Sequence, residues 1–140
     1  MNNDQITTLI LRLIKRLNRQ MENIFVDMDL RNLTISEVLY VVSIGESQKV
    51  TMKYLAEEHH VAASATTRII ENLVTKGYVE RFYNTNDRRQ VFVKLTNQGN
   101  EMFEKIQERR QKQIGIFINK IPEDQKDYVV EILQALIKID

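Results

Sequence analysis

The side chains in this sequence best placed to do chemistry are three arginines and a pair of hydroxyls. Ser64, Thr67 and Arg68 stand at i, i+3 and i+4, so on a helix they share one face, and Glu71 and Thr75 continue it. Arg88 and Arg89 stand together in the polar loop Asn84-Thr85-Asn86-Asp87-Arg88-Arg89, between two runs rich in aromatic and β-branched residues. Guanidinium groups donate in parallel pairs to phosphates and base edges, and hydroxyls can donate or accept. A short polar helix face beside a hairpin tipped with two arginines suits duplex DNA: the helix enters the major groove and the tip reaches the adjacent minor groove.

Charge agrees locally and not globally. The 140-residue chain carries a net charge of only +1. From Val61 to Lys94 the bases Arg68, Lys76, Arg81, Arg88, Arg89 and Lys94 face the acids Glu71, Glu80 and Asp87, a local excess of +3. A small excess of this kind is also common on solvated surfaces, so charge alone decides little.

Other chemistries find little support. The chain has no cysteine, which removes disulfides, thiolate metal sites and thiol redox switching. Its histidines, His59 and His60, are adjacent and so diverge; they suit a surface turn better than a metal site, even with Glu57 and Glu58 beside them. No glycine-rich phosphate loop is present, and neither a nucleophile–base set nor a cofactor site is expected. No apolar run is long enough to cross a bilayer, and Met1-Asn2-Asn3-Asp4 does not open a secretory signal, so the expected location is cytoplasmic.

The elements that must hold the arginines follow from periodicity. Thr66, Ile69, Ile70 and Leu73 form the apolar stripe of a helix over 62–76, and Gly77 stands where a left-handed residue would close it. Ala62 offers no capping side chain, so this helix is expected to begin near Ser64 or to fray. Residues 78–95 read as the hairpin, or wing. Thr51 caps a shorter helix over 51–59, and the two helices joined through His59-His60-Val61 make a helix-turn-helix. Before it, Thr34-Ile35-Ser36-Glu37 spells a capping box, with Glu37 expected to reach back to the cap. The helix it starts carries Val38, Leu39, Val41, Val42 and Ile44 and is expected to end near Gly45. So many β-branched residues need burial to hold a helix, which places this segment at the centre.

Long helices flank this middle. Asp4 to about Met28 carries a wide apolar stripe with Arg12, Lys15, Arg16 and Arg19 alongside, read as a solvated basic face. Thr96 caps a second long helix, Pro122 interrupts it, and a last helix bears apolar residues on more than one face. The fold class is therefore mainly α with a small β-wing. Residues 31–96 form the winged helix-turn-helix, while 1–30 and 97–140 form a helical dimerisation region. The termini bring more apolar surface than one thin module can cover, and a two-fold homodimer buries it.

Certain strings carry a resemblance. Leu55-Ala56-Glu57-Glu58, Thr67-Arg68-Ile69-Ile70-Glu71-Asn72-Leu73, Lys76-Gly77-Tyr78-Val79-Glu80-Arg81, Asp87-Arg88-Arg89 and Leu95-Thr96 with Gly99 together resemble the MarR family, the multiple antibiotic resistance regulators. The resemblance implies dimeric, cytoplasmic winged helix-turn-helix regulators, mostly repressors. They bind pseudo-palindromic double-stranded operators and are often released by a small aromatic or phenolic effector. It implies that Arg88 is the wing-tip arginine of the minor groove. Asp87 and Arg89 would form a salt bridge shaping the wing, and Ser64, Thr67 and Arg68 would lie in or against the major groove. Arg68 could grip a guanine edge or a phosphate. The family often has glycine where His60 stands, a position at which histidine tolerates positive φ better than most residues. No residue is assigned to an effector. The rival is a winged-helix adaptor that binds another protein through the same surface.

Overall fold

A computed structural model describes residues 2–26, 28 and 32–139. Among the described residues, helices and strands follow in order: α1 (Asn3–Val26), α2 (Ile35–Ser47), β1 (Lys49–Thr51), α3 (Met52–Glu58), α4 (Ala63–Thr75), β2 (Val79–Tyr83), β3 (Val91–Leu95), α5 (Asn97–Ile118) and α6 (Lys126–Ile137). A 3-10 turn at Glu123–Gln125 precedes α6, with Pro122 at its start. The chain is mainly α with a small antiparallel sheet, as its periodicity predicts.

Two compact units divide it. One is Phe25–Glu108; the other comprises α1 through Ile24 and the chain from Arg109 onward. In the first, α2 is the central element. Val38, Tyr40, Val41 and Ile44 are buried among Val50, Leu55, Ile70, Leu73, Val79, Val93, Leu95 and Ile106. Burial is what holds this β-branched helix together, although Leu39, expected inside, is exposed. The helix does not end at Gly45. It continues to Ser47 and turns at Gln48, whose φ is +63°. Gly45 serves packing instead: a Cβ there would collide with the Phe103 ring of α5.

The capping box forms by half. Thr34 Oγ1 accepts the Glu37 N–H at 3.2 Å. The Glu37 carboxylate does not return to the cap; it lies buried and accepts from Lys76 Nζ at 2.7 Å. A charged donor outcompetes a neutral amide for a carboxylate with little water around it.

The sheet contains a strand beyond the expected hairpin. Its order is β1-β3-β2, with Val50 opposite Val93 on one side and Arg81 opposite Val93 on the other. β1 is short, and its last residue, Thr51, also caps α3 by accepting the Tyr54 N–H at 3.0 Å.

In the second unit, α6 buries none of its residues, and Ile6, Leu9, Leu13 and Ile14 of α1 are exposed.

Candidate nucleic-acid interface

The turn between α3 and α4 is tight. His59 caps α3, and His60 takes φ +52°, the left-handed conformation that a histidine can adopt at this point. The Val61 N–H donates to the Ala56 carbonyl at 3.0 Å and closes the turn. α4 then begins at Ala63, earlier than Ser64, although Ala62 supplies no side-chain cap. Its first-turn amides are left for solvent or for an anion. The other end is closed by a Schellman turn: Tyr78 N–H to Leu73 O and Gly77 N–H to Val74 O, both at 3.0 Å, with Gly77 at φ +85°. Thr96 ties that turn to α5, donating to the Gly77 carbonyl and accepting the Gly99 N–H. The wing and α4 are thus held to one another at both strand ends.

This framework divides α4 into two faces. Thr66, Ile70 and Leu73 are buried; Ser64, Thr67, Arg68, Glu71 and Thr75 are exposed. Thr67 Oγ1 donates to the Ala63 carbonyl at 2.9 Å. Its proton is therefore used inside the helix, and its oxygen is left to accept, which suits a base amino group better than a phosphate.

The loop of the wing is shaped by side-chain amides. Asn84 Nδ2 donates to Gln90 Oε1 at 3.1 Å, and Asn84 Oδ1 accepts the Asn86 N–H at 3.1 Å. Asp87 contributes differently from the expected salt bridge with Arg89. Its Oδ1 accepts the main-chain N–H of Arg89 at 3.0 Å, and no ion pair joins the two side chains among the described residues. The turn is closed through the backbone, which frees the Arg89 side chain to line a groove of about 510 Å³ with Thr67, Ala63, Thr51, Met52 and Lys53. Arg89 and Thr67, far apart in sequence, therefore share one surface. Lys53 joins them. Sequence reasoning missed it, since a lone lysine on a short helix carries no pattern; that it lines the same groove as Arg89, with Glu57 also on the wall, is visible only once β3 folds back.

Ion pairing sorts the local charges. Lys76 pairs with Glu37, Arg81 with Glu71 at 3.9 Å, and Lys94 with Glu80 at 3.1 Å. Arg68, Arg88 and Arg89 make no ion pair among the described residues, and all are exposed. With these pairs set aside, Arg68, Arg88 and Arg89 remain against Asp87 alone, so the unpaired positive charge of this segment lies on the three arginines named from the sequence.

Residues 33–91 match the MarR family model, covering α2 through β2 and the wing loop as far as the first residue of β3. Through these residues the chain is similar to the MarR family. Over 80 residues it is 35% identical to the uncharacterized HTH-type transcriptional regulator YwhA of Bacillus subtilis, a match that takes in 56% of this chain and 58% of that protein. A solved structure of the multiple antibiotic resistance repressor MarR superposes with a TM-score of 0.75 at 27% identity, covering 93% of each chain. Streptococcus pneumoniae FabT, solved in complex with DNA, shares the fold with a TM-score of 0.78 at 22% identity, over 98% of this chain and 96% of that one. The helix-turn-helix and wing described above have the fold of these solved structures.

Proposed function

We propose that this chain is a double-stranded DNA-binding transcriptional regulator, a homodimeric repressor of the MarR type acting on a pseudo-palindromic operator. One observation carries the reading. Among the described residues from α2 to β3, the arginines without an ion pair are Arg68 on the exposed face of α4 and Arg88 and Arg89 on the wing; Arg81 pairs with Glu71. An unpaired guanidinium keeps its full donor set for an incoming phosphate or base. Arg88 in the wing loop suits a narrow minor groove, where negative potential is focused. Ser64, Thr67 and Arg68 suit the major groove, and Arg89 with Lys53 suits the backbone beside it. FabT, solved with DNA, supports this use of the shared fold.

Dimerisation supplies the second half-site. The exposed apolar faces of α1 and α6 support a second copy as their cover. Two copies would present half-sites at a multiple of about 34 Å.

The test is selection of bound sequences from random duplexes by the full chain, followed by a salt titration of the winning site. A paired motif is expected, with a log–log salt slope of about −5 for about six phosphate contacts. No binding to any duplex at low salt would favour the protein adaptor.

Arg88→Ala is expected to weaken binding to that site about tenfold, the loss of one good groove contact. Because Arg88 is exposed and unpaired, the melting temperature and the dimer mass should not change. A gel-shift titration matching the parent protein would remove Arg88 from the interface.

A further inference from the structure

α4 carries one fully buried polar side chain, Thr66, which is 1% exposed. Its Oγ1 lies 2.9 Å from the hydroxyl of Tyr40, a residue of α2 that is itself 2% exposed. The Tyr40 ring stacks on the His59 imidazole, with centroids 4.4 Å apart and planes 17° from parallel. His59 Nε2 lies 2.8 Å from Ser43 Oγ, back on α2. Four side chains thus join α2, the turn that ends α3, and α4.

A purely apolar contact would also fill this space, but it would tolerate sliding. A buried hydroxyl pair does not, because either group left unpaired is poorly solvated. The pair is satisfied at one rotation of α4 about its own axis. The outer side chains of a helix lie about 6 Å from that axis, so a rotation of about 20° moves them by about 2 Å. That displacement is enough to spoil a hydrogen bond to a base edge, whose useful range is a few tenths of an ångström. Phosphate attraction is less demanding, since it acts over about 8–10 Å in physiological salt. Thr66 stands immediately before Thr67 and Arg68 in the chain, so the rotation it fixes is theirs.

We propose that Tyr40 and Thr66, braced by His59 and Ser43, are positioning residues that set the rotation of α4 and thereby the discrimination between operator and random DNA. The inference rests on the DNA-binding reading above and assigns to this cluster specificity in place of general affinity. Tyr40 and Thr66 touch no DNA in this account; they act through the residues on the opposite face.

The experiment measures affinity for the selected operator and for a random duplex, at one salt concentration, for the parent chain, Tyr40→Phe, Thr66→Val, Thr66→Ser and the double variant Tyr40→Phe/Thr66→Val. The double variant removes both hydroxyls and leaves neither orphaned, so it is the one most certain to fold. Each variant lacking the pair is expected to lower the operator-to-random ratio about tenfold, with random-duplex affinity held within about twofold. The double variant should lose no more than either single one, because all three remove the same bond. Thr66→Ser keeps the hydroxyl and should retain the parent ratio within about threefold. A lower melting temperature with an unchanged ratio means that the cluster only stabilises the fold, and overturns the proposal. Equal weakening on both duplexes overturns it as well. A parent chain that binds neither duplex overturns the DNA-binding reading together with this one, whereas intact discrimination in every variant overturns this one alone.

Discussion

Lys76→Met is expected to be the most destabilising single substitution in the unit Phe25–Glu108 that leaves every apolar contact in place. The Glu37 side chain is 4% exposed, and its carboxylate meets Lys76 Nζ at 2.7 Å. Removing one partner of a fully buried pair destabilises by about 3–5 kcal/mol, because the remaining charge is then both desolvated and unpaired. Lys76 is 32% exposed, so water reaches the pair from one side and the loss is smaller, about 2–4 kcal/mol. For a chain of this size that corresponds to a fall of roughly 10 °C in melting temperature. Adding Glu37→Gln should recover at least half of the loss, since a neutral amide can stay buried more cheaply than a charge. The two variants can be compared by thermal melts followed by circular dichroism. If Lys76→Met melts within about 2 °C of the parent, the carboxylate has another home, and the Thr34 amide of the half-formed capping box is the obvious one. The pair matters for function because it joins the first turn of α2 to the C-terminal end of α4, the helix whose outer face carries Arg68.

How much of this was legible beforehand depended on whether the signal was local. The caps at Thr34, Thr51 and Thr96 were readable because a hydroxyl must find an amide within one turn. So was the close of α4, because Gly77 is the residue that takes φ +85° without strain. The exposed and buried faces of α4 were readable because the helical period separates them. The unread features are long-range. Glu37 carries a capping-box signature, yet its partner lies 39 positions away, and no spacing rule connects them. β1 spans three residues, too few for an alternation to register, and its strand character depends on β3 being there to pair with. Asp87 next to two arginines invites a salt bridge, but an aspartate two residues before an amide can close the turn itself. Arg89 then faces the groove shared with Lys53 and Thr67, an arrangement set by the fold-back of the wing. The α4 start at Ala63 shows the converse: a weak cap was overridden by the packing of Thr66, Ile70 and Leu73 behind it.

Leu133→Asp is expected to produce a monomer and to remove most operator affinity. α6 runs only from Lys126 to Ile137 and buries none of its residues. A helix of that length is marginal in water without packing, since isolated helices need about 12–15 residues even when their composition is ideal. Its apolar side chains nonetheless cover more than one face: Tyr128, Val130, Leu133 (51% exposed), Leu136 and Ile137 (81% exposed). Full burial of each such side chain would contribute about 1.5–3 kcal/mol, so a second copy laid against this surface stabilises both helix and assembly. An aspartate within such a face must either be desolvated or hold the surfaces apart. The first readout is mass by light scattering, where the variant should run at half the parent mass. The second is operator binding. Two linked reading heads bind more tightly than one by about 10²–10⁴, so a monomer should lose a factor in that range while keeping its weak affinity for a single half-site. Helix content by circular dichroism should fall only by the share that α6 contributes, because the unit holding α2 to the wing has its own core. A parent mass retained by Leu133→Asp would mean that the copies meet elsewhere or not at all. An operator affinity retained by a proven monomer would mean that one helix and one wing suffice, and the paired half-site would then have no physical basis in this chain.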